Sequence, residues 1–119
     1  MRLLTVPFIA LLINACTSGE LVYFDGEGKR KTACQTEYSW APSVDKYAVE
    51  YILVHCAKQA VAKGYKIEDE TLLKVDIAIP SPPANKVWTF ELATALHEDG
   101  KLTDKEYGYV IAHIDLNAA

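Results

Sequence analysis

Two cysteines constrain this fold more than any other feature of the chain. Cys34 lies in the stretch Thr32 to Trp40, where Cys34, Thr36, Tyr38 and Trp40 share one face and Gln35, Glu37 and Ser39 the other. Cys56 lies in the segment Val44 to Lys63, where Val49, Ile52, Leu53, Cys56, Ala57 and Ala60 recur at helical spacing. A strand and a helix that each carry a cysteine on the apolar face can be pinned together through that pair. In reducing surroundings the same residues would be two buried free thiols, so the compartment decides between the readings.

The beginning of the chain speaks to the compartment. Arg2 gives a short positive start, Leu3 to Ile13 is apolar apart from Thr5 and Pro7, and Ala15 is a small residue suited to a signal-peptidase cut. The run is shorter than the roughly 20 apolar residues that span a membrane. Cys16 follows immediately, which an ordinary cleaved signal would not require. Ile13-Asn14-Ala15-Cys16 resembles the lipobox of bacterial lipoproteins: an aliphatic residue, a small residue, Gly or Ala, then Cys. Asn14 departs from the usual small residue. The resemblance implies that residues 1–15 are a cleaved signal peptide, that Cys16 receives diacylglycerol and becomes the first mature residue, and that residues 16–20 tether the lipid to the fold. Thr17 rather than Asp after the cysteine implies, within that class, the outer membrane facing the periplasm. The chain has three cysteines. Lipidation of Cys16 removes the odd thiol and leaves Cys34 and Cys56 to pair in an oxidising compartment.

Cleavage after Ala15 would leave about a hundred residues, residues 16–119, enough for one small core and too few for two. Half of the full sequence is hydrophobic, but part of that half belongs to the leading segment. A bond closing a loop of about 20 residues contributes about 3 kcal/mol by the chain-entropy estimate, a large share of a small domain's stability. The expected class is α+β: a small antiparallel sheet packed on a long central helix, a C-terminal helical hairpin and one disulfide, all within residues 21–119.

Leu21 to Phe24 reads as a β-prone run, and Asp25-Gly26-Glu27-Gly28 as the turn of a hairpin returning through Thr32 to Trp40. Pro42 and Ser43 offer a helix start, and Gly64 a stop. Val44, Tyr47, Tyr51 and Val54 form a second stripe nearly opposite that of Cys56. Either this helix is covered on two sides by the C-terminal helices, or Tyr47, Tyr51 and Val54 are a partner surface. Tyr65-Lys66-Ile67 continues as a strand, and Glu68-Asp69-Glu70 is a solvated acidic turn or a helix start. Leu73, Val75, Ile77 and Ile79 alternate with Lys74, Asp76 and Ala78, which predicts a strand over 71–79, although Leu72-Leu73 after an acidic cluster could open a helical turn. Pro80-Ser81-Pro82-Pro83 is a stiff extended linker.

At the C-terminal end, Asn85 is the expected cap of a helix reaching Glu98, with Trp88, Leu92, Ala95 and Leu96 on one face. Gly100 stops it. Thr103-Asp104-Lys105-Glu106 forms a capping box for a second helix that buries Tyr107, Val110, Ile111 and Ile114. Glu91 to Leu116, through Leu92, Leu96, Asp99-Gly100-Lys101-Leu102-Thr103 and Glu106-Tyr107, is similar to the C-terminal helical hairpin called the SHOCT domain. That resemblance implies an interaction or oligomerisation element. In place of the Lys-rich second helix of that family, this chain carries Gly108, His113 and Asp115.

Catalytic signatures are missing from the sequence. Gly26 and Gly28 are followed by Lys29-Arg30-Lys31 and a strand, not by the helix a phosphate-binding loop requires. His55, His97 and His113 lack the spacing of a zinc site. The turn carboxylates Asp25, Glu27, Asp69, Glu70, Glu98 and Asp99 form no defined acid and base pair. The net charge of −4, with 12 scattered basic residues, gives no nucleic-acid footprint. The expectation is therefore a non-catalytic envelope lipoprotein without metal or cofactor, bound to the membrane through Cys16. It would act as an interaction or structural module on another envelope protein or on itself. The alternative is an immunity or inhibitor lipoprotein that neutralises a toxin or cell-wall-degrading enzyme, its acidic loops at Glu68-Asp69-Glu70 or Glu98-Asp99 plugging a basic site.

Overall fold

The structure, a computed structural model, describes residues 16–118; the expected signal segment, residues 1–15, lies outside them. Strands β1, Thr17–Phe24, and β2, Arg30–Tyr38, form an antiparallel hairpin. Its turn is organised by Asp25, whose carboxylate accepts the backbone N–H groups of Glu27 and Lys29 at 2.9 and 3.0 Å, with Gly28 at φ +79°. Those contacts, chiefly the one from Lys29, hold the Asp25 carboxyl below its usual range. Thr17–Glu20, expected as a flexible tether, instead form the first half of β1. Pairing with β2 satisfies their backbone groups, and that outweighs a composition that reads as linker.

The hairpin carries a bulge. Gly19 pairs with Thr36 but Leu21 with Ala33, so one extra residue sits in β2 at the point where Cys34 adopts φ +54°. The inward alternation read from the sequence thus holds for Cys34, Thr36 and Tyr38 and is reset before them. Trp40, expected on the same face, lies beyond the strand and is 54% exposed. On the other edge, β3, Lys66–Ile67, pairs antiparallel with β1 and completes the order β2-β1-β3.

Helix α1, Pro42–Ala62, follows β2 directly. Its N-cap is Ala41, which has no side chain to offer. The buried carboxylate of Asp45 reaches back instead and accepts the N–H groups of Trp40 and Ala41 at 3.0 and 3.2 Å. At the other end Gly64, at φ +87°, lets its own N–H reach Val61 O and that of Tyr65 reach Ala60 O, a Schellman stop.

Apolar residues run around most of α1, so it must be covered on more than one side. Ile52, Cys56, Ala57 and Ala60 pack with Leu21 and Ile67 under the sheet, while Val44 packs with Tyr107, Val110 and Ile111. The stripe Tyr47, Tyr51 and Val54 is consequently no free partner surface: Val54 is fully buried and Tyr51 is 7% exposed. Tyr109 of the last helix meets Tyr47 edge-on and lies 5.6 Å, ring to ring, from Tyr51. The chain's own C-terminal part fills that face.

Between β3 and the C-terminal helices the alternation of 71–79 does not give a strand. Asp69 accepts the Thr71 N–H at 3.1 Å and starts a 3₁₀ turn, Glu70–Lys74, and the chain then runs irregularly to Pro83. The local cap outweighs period-two patterning. Helix α2, Phe90–Glu98, begins later than expected. Its cap is Thr89, whose hydroxyl accepts the Leu92 N–H at 3.1 Å, whereas Asn85 sits in a preceding turn at φ +64°. Trp88 therefore lies before the helix, its indole N–H donating to Pro80 O at 2.8 Å, and the buried face of α2 centres on Ala93 rather than Ala95.

Helix α3, Asp104–Asn117, starts with the expected capping box. The Thr103 hydroxyl accepts from Glu106 N at 3.1 Å, and Thr103 N donates to the Glu106 carboxylate at 3.0 Å. The α2 stop is a second Schellman motif, with Gly100 at φ +73° and bonds from Gly100 to His97 O and from Lys101 to Leu96 O. Of the expected set, Tyr107, Val110 and Ile111 are buried and Ile114 is only partly so, packed at the edge of their cluster; the buried set in α3 also includes Gly108, Tyr109 and Ala112.

Candidate functional site

The chemistry of Cys16 follows from where β1 begins. Thr17 pairs with Tyr38, so the register carries Cys16 to a position opposite Ser39, beside Glu37. Cys16 is exposed and outside any disulfide. The Glu37 carboxylate, as hydrogen-bond partner of the thiol, pushes its pKa up, with smaller contributions from desolvation and from the charge itself.

Next to this end stands Trp40. Its indole tilts against Phe90, centroids 5.8 Å apart, and against Tyr107 at 6.3 Å. The loop from β2 to α1 that carries it is fixed by Asp45 through the Trp40 and Ala41 amides.

Cys34 and Cys56 are disulfide-bonded, with Cα atoms 6.4 Å apart, within the range a disulfide requires. The bulge turns Cys34 toward the helix, so the bond fastens the outer strand of the sheet to the middle of α1. Beside it, a shallow cleft of about 450 Å³ opens between Cys34–Tyr38, Ile52 and the end of α3 at Asp115 and Leu116. Tyr38 donates its hydroxyl to the Asp115 carboxylate at 2.7 Å across this cleft. Burial, then that carboxylate, pushes the Tyr38 hydroxyl well above the ordinary tyrosine range. A second open cleft, of about 520 Å³, runs along Ser18–Glu20 and Gln35–Glu37. Neither cleft has the enclosed apolar lining with convergent polar groups that marks a small-molecule site.

The three histidines stay apart. His97 stacks on Tyr107 at 4.2 Å and pairs through Nε2 with the Asp104 carboxylate at 2.7 Å, tying α2 to the first turn of α3. His113 Nδ1 meets the Tyr51 hydroxyl at 2.9 Å, and His55 lies half-buried on α1. Among the described residues no three or more His, Cys, Asp or Glu side chains are grouped to hold a metal ion, and no helix is long and apolar enough to cross a membrane.

Three features escaped the sequence reading: the exposure of Trp40, the backward cap by Asp45, and the seat of Tyr109 on α1. For the last, a signal exists. Gly108 and Ala112, four apart on α3, are small residues on one helix face, as close helix approach requires. Compared with family models, curated proteins and solved structures, the chain finds no match in any of the three.

Proposed function

We propose that this chain is a lipoprotein of the bacterial cell envelope, held to the outer membrane through Cys16 and facing the periplasm, where it acts by protein contact rather than catalysis. The observation that carries this reading is the position of Cys16. The cysteine that closes Ile13-Asn14-Ala15-Cys16 is exposed and outside any disulfide at the residue before β1, so its sulfur is open to acylation. The Cys34–Cys56 bond accords with an exported protein.

The likeness of the C-terminal hairpin to SHOCT elements supports an assembly role, with another envelope protein or a second copy as the partner. The neutraliser alternative draws on the acidic runs, but there Asp69 caps the 3₁₀ turn and Glu68 pairs with Arg30 at 3.3 Å, so part of that charge is engaged at home.

Membrane fractionation of wild type and Cys16→Ser, with mass spectrometry of the mature N-terminus, tests the anchor. Wild type should partition with membranes and carry acyl mass at Cys16, and the variant should be released. A variant that stays in the membrane fraction refutes the assignment. For the interaction role, in-cell crosslinking of the lipidated protein should give discrete adducts that weaken when the exposed Glu91, Ala95 and Glu98 of α2 are replaced. A monomer without such adducts would count against a contact role for the hairpin.

A further inference from the structure

We propose that Trp40 and the end of the domain around it rest in the lipid–water interface, so that the protein lies docked on the bilayer in a fixed orientation; this rests on the anchor at Cys16 proposed above. The chain leaves little slack for anything else. β1 begins at Thr17, and Thr17 pairs with Tyr38. Continued by one residue, that register sets Cys16 across from Ser39, the neighbour of Trp40. One strand spacing and one residue step then put the Cys16 and Trp40 Cα atoms within roughly 10 Å of each other. A lipid on Cys16 thus brings Trp40 to headgroup depth without any movement of the fold.

The side chain suits that place. Among the exposed large hydrophobic residues, Trp40, Val61, Leu73 and Val87, it is the aromatic one. Phe90 and Tyr107 support one side of the indole, and Asp45 holds the backbone beneath it. Its exposure is therefore built in, not the result of a loose loop. An indole, with an apolar body and one N–H donor, is favoured at membrane interfaces. The negative charge of the exposed Glu37 at the same end points to a zwitterionic lipid surface over an anionic one.

The chain has two tryptophans, so Trp88→Phe leaves Trp40 as the sole reporter. Lipidated Trp88→Phe protein is reconstituted into phosphatidylcholine vesicles with or without brominated acyl chains, and the Cys16→Ser form in buffer gives the baseline. Docking predicts a blue-shifted Trp40 emission on the vesicles and the loss of most of it to bromine quenching. Should Trp88→Phe unfold, the difference between wild type and Trp40→Phe reads the same signal. A lipidated, vesicle-bound protein whose Trp40 emission matches the baseline and escapes quenching overturns the docking and leaves the anchor standing. A protein without acyl mass that does not float with vesicles overturns both.

Discussion

Gly108 shows how much of this fold turns on single atoms. A Cβ there would stand 2.7 Å from the Val44 carbonyl oxygen and 2.8 Å from the Tyr47 Cβ, so α3 crosses α1 backbone against backbone. Glycine costs a helix interior about 1 kcal/mol relative to alanine, and on propensity alone Gly108→Ala should stabilise. The contacts reverse that sign. The helices would have to separate, so we expect a net loss of about 1 to 3 kcal/mol in urea unfolding, with Gly26→Ala, which has open space around it, close to neutral. Tyr109 and Tyr38 give a second prediction. Burial, then the Glu50 carboxylate that accepts its hydroxyl, pushes the Tyr109 pKa up; burial and Asp115 do so for Tyr38, and burial for Tyr51. A phenol whose folded pKa exceeds its unfolded value of about 10 gives stability that is fully present below pH 10 and lost as pH rises toward the folded value. The urea midpoint should therefore hold through neutral pH and fall above about pH 10, and less steeply in Tyr109→Phe. Spectroscopic titration should find these phenolates forming later than ordinary ones. The seat of Tyr109 was missed because helical periodicity drawn around Tyr107, Val110 and Ile111 assigns one buried face to α3, and the second face is marked in the sequence by no more than the small pair Gly108 and Ala112.

At the scale of elements, chain punctuation was the most readable signal. Gly64, Gly100 and the Thr103–Glu106 box act by local chemistry, which tertiary contacts have little reason to override, and all three behave as the sequence implies. The failures are places where a local rule met a stronger neighbour. Asn85 is a good cap in isolation, yet Thr89 stands closer to the apolar face of α2 and takes the role. The alternation of 71–79 yields to the Asp69 cap and the 3₁₀ turn it starts, and the segment pairs with neither outer edge of the sheet, β2 or β3. Thr17–Glu20 has the composition of a tether, but its first three residues lie opposite Thr36–Tyr38 and Glu20 sits at the bulge. The readable turn supplies a prediction: Thr103→Ala should cost about 1 kcal/mol by leaving the Glu106 amide unpaired. Gly100→Val should cost more, because a β-branched residue is strained at φ +73°. Chemical denaturation of the two variants should rank them in that order, and a Gly100→Val variant as stable as wild type would mean that the Schellman stop carries none of the hairpin's stability.

For the molecule as a whole, α1 is the shared element, with the sheet on one face and α3, on which α2 packs, on the other, and the disulfide binds only the first of these arrangements. β2 is an edge strand, held by β1 on one side and to α1 through Cys34 and Cys56. Cys34 and Cys56 could be paired from the sequence because alternation, helical spacing and the expected export all turned them toward each other. The bulge that completes the approach, with Cys34 at φ +54°, could not be read, since a bulge is a property of two strands and shows in neither alone. Opening the 22-residue separation restores loop freedom to the unfolded chain, for which the entropy estimate is about 3 kcal/mol. The loss should also be uneven. The packing of Val44, Val110 and Ile111 lies in a cluster that contains neither cysteine, whereas Cys34 and Cys56 belong with Leu21, Ile52 and Ala57 under the sheet, a cluster that α3 joins along its other face through Tyr109 and Ala112. In a Cys34→Ser, Cys56→Ser double variant, hydrogen exchange should therefore accelerate first in β2 and next in β1, while the amides of α3 keep protection closer to that of the oxidised protein. Uniform acceleration through β2, α1 and α3 would show instead that sheet and helical hairpin open as one unit, with the disulfide holding the whole domain rather than its edge.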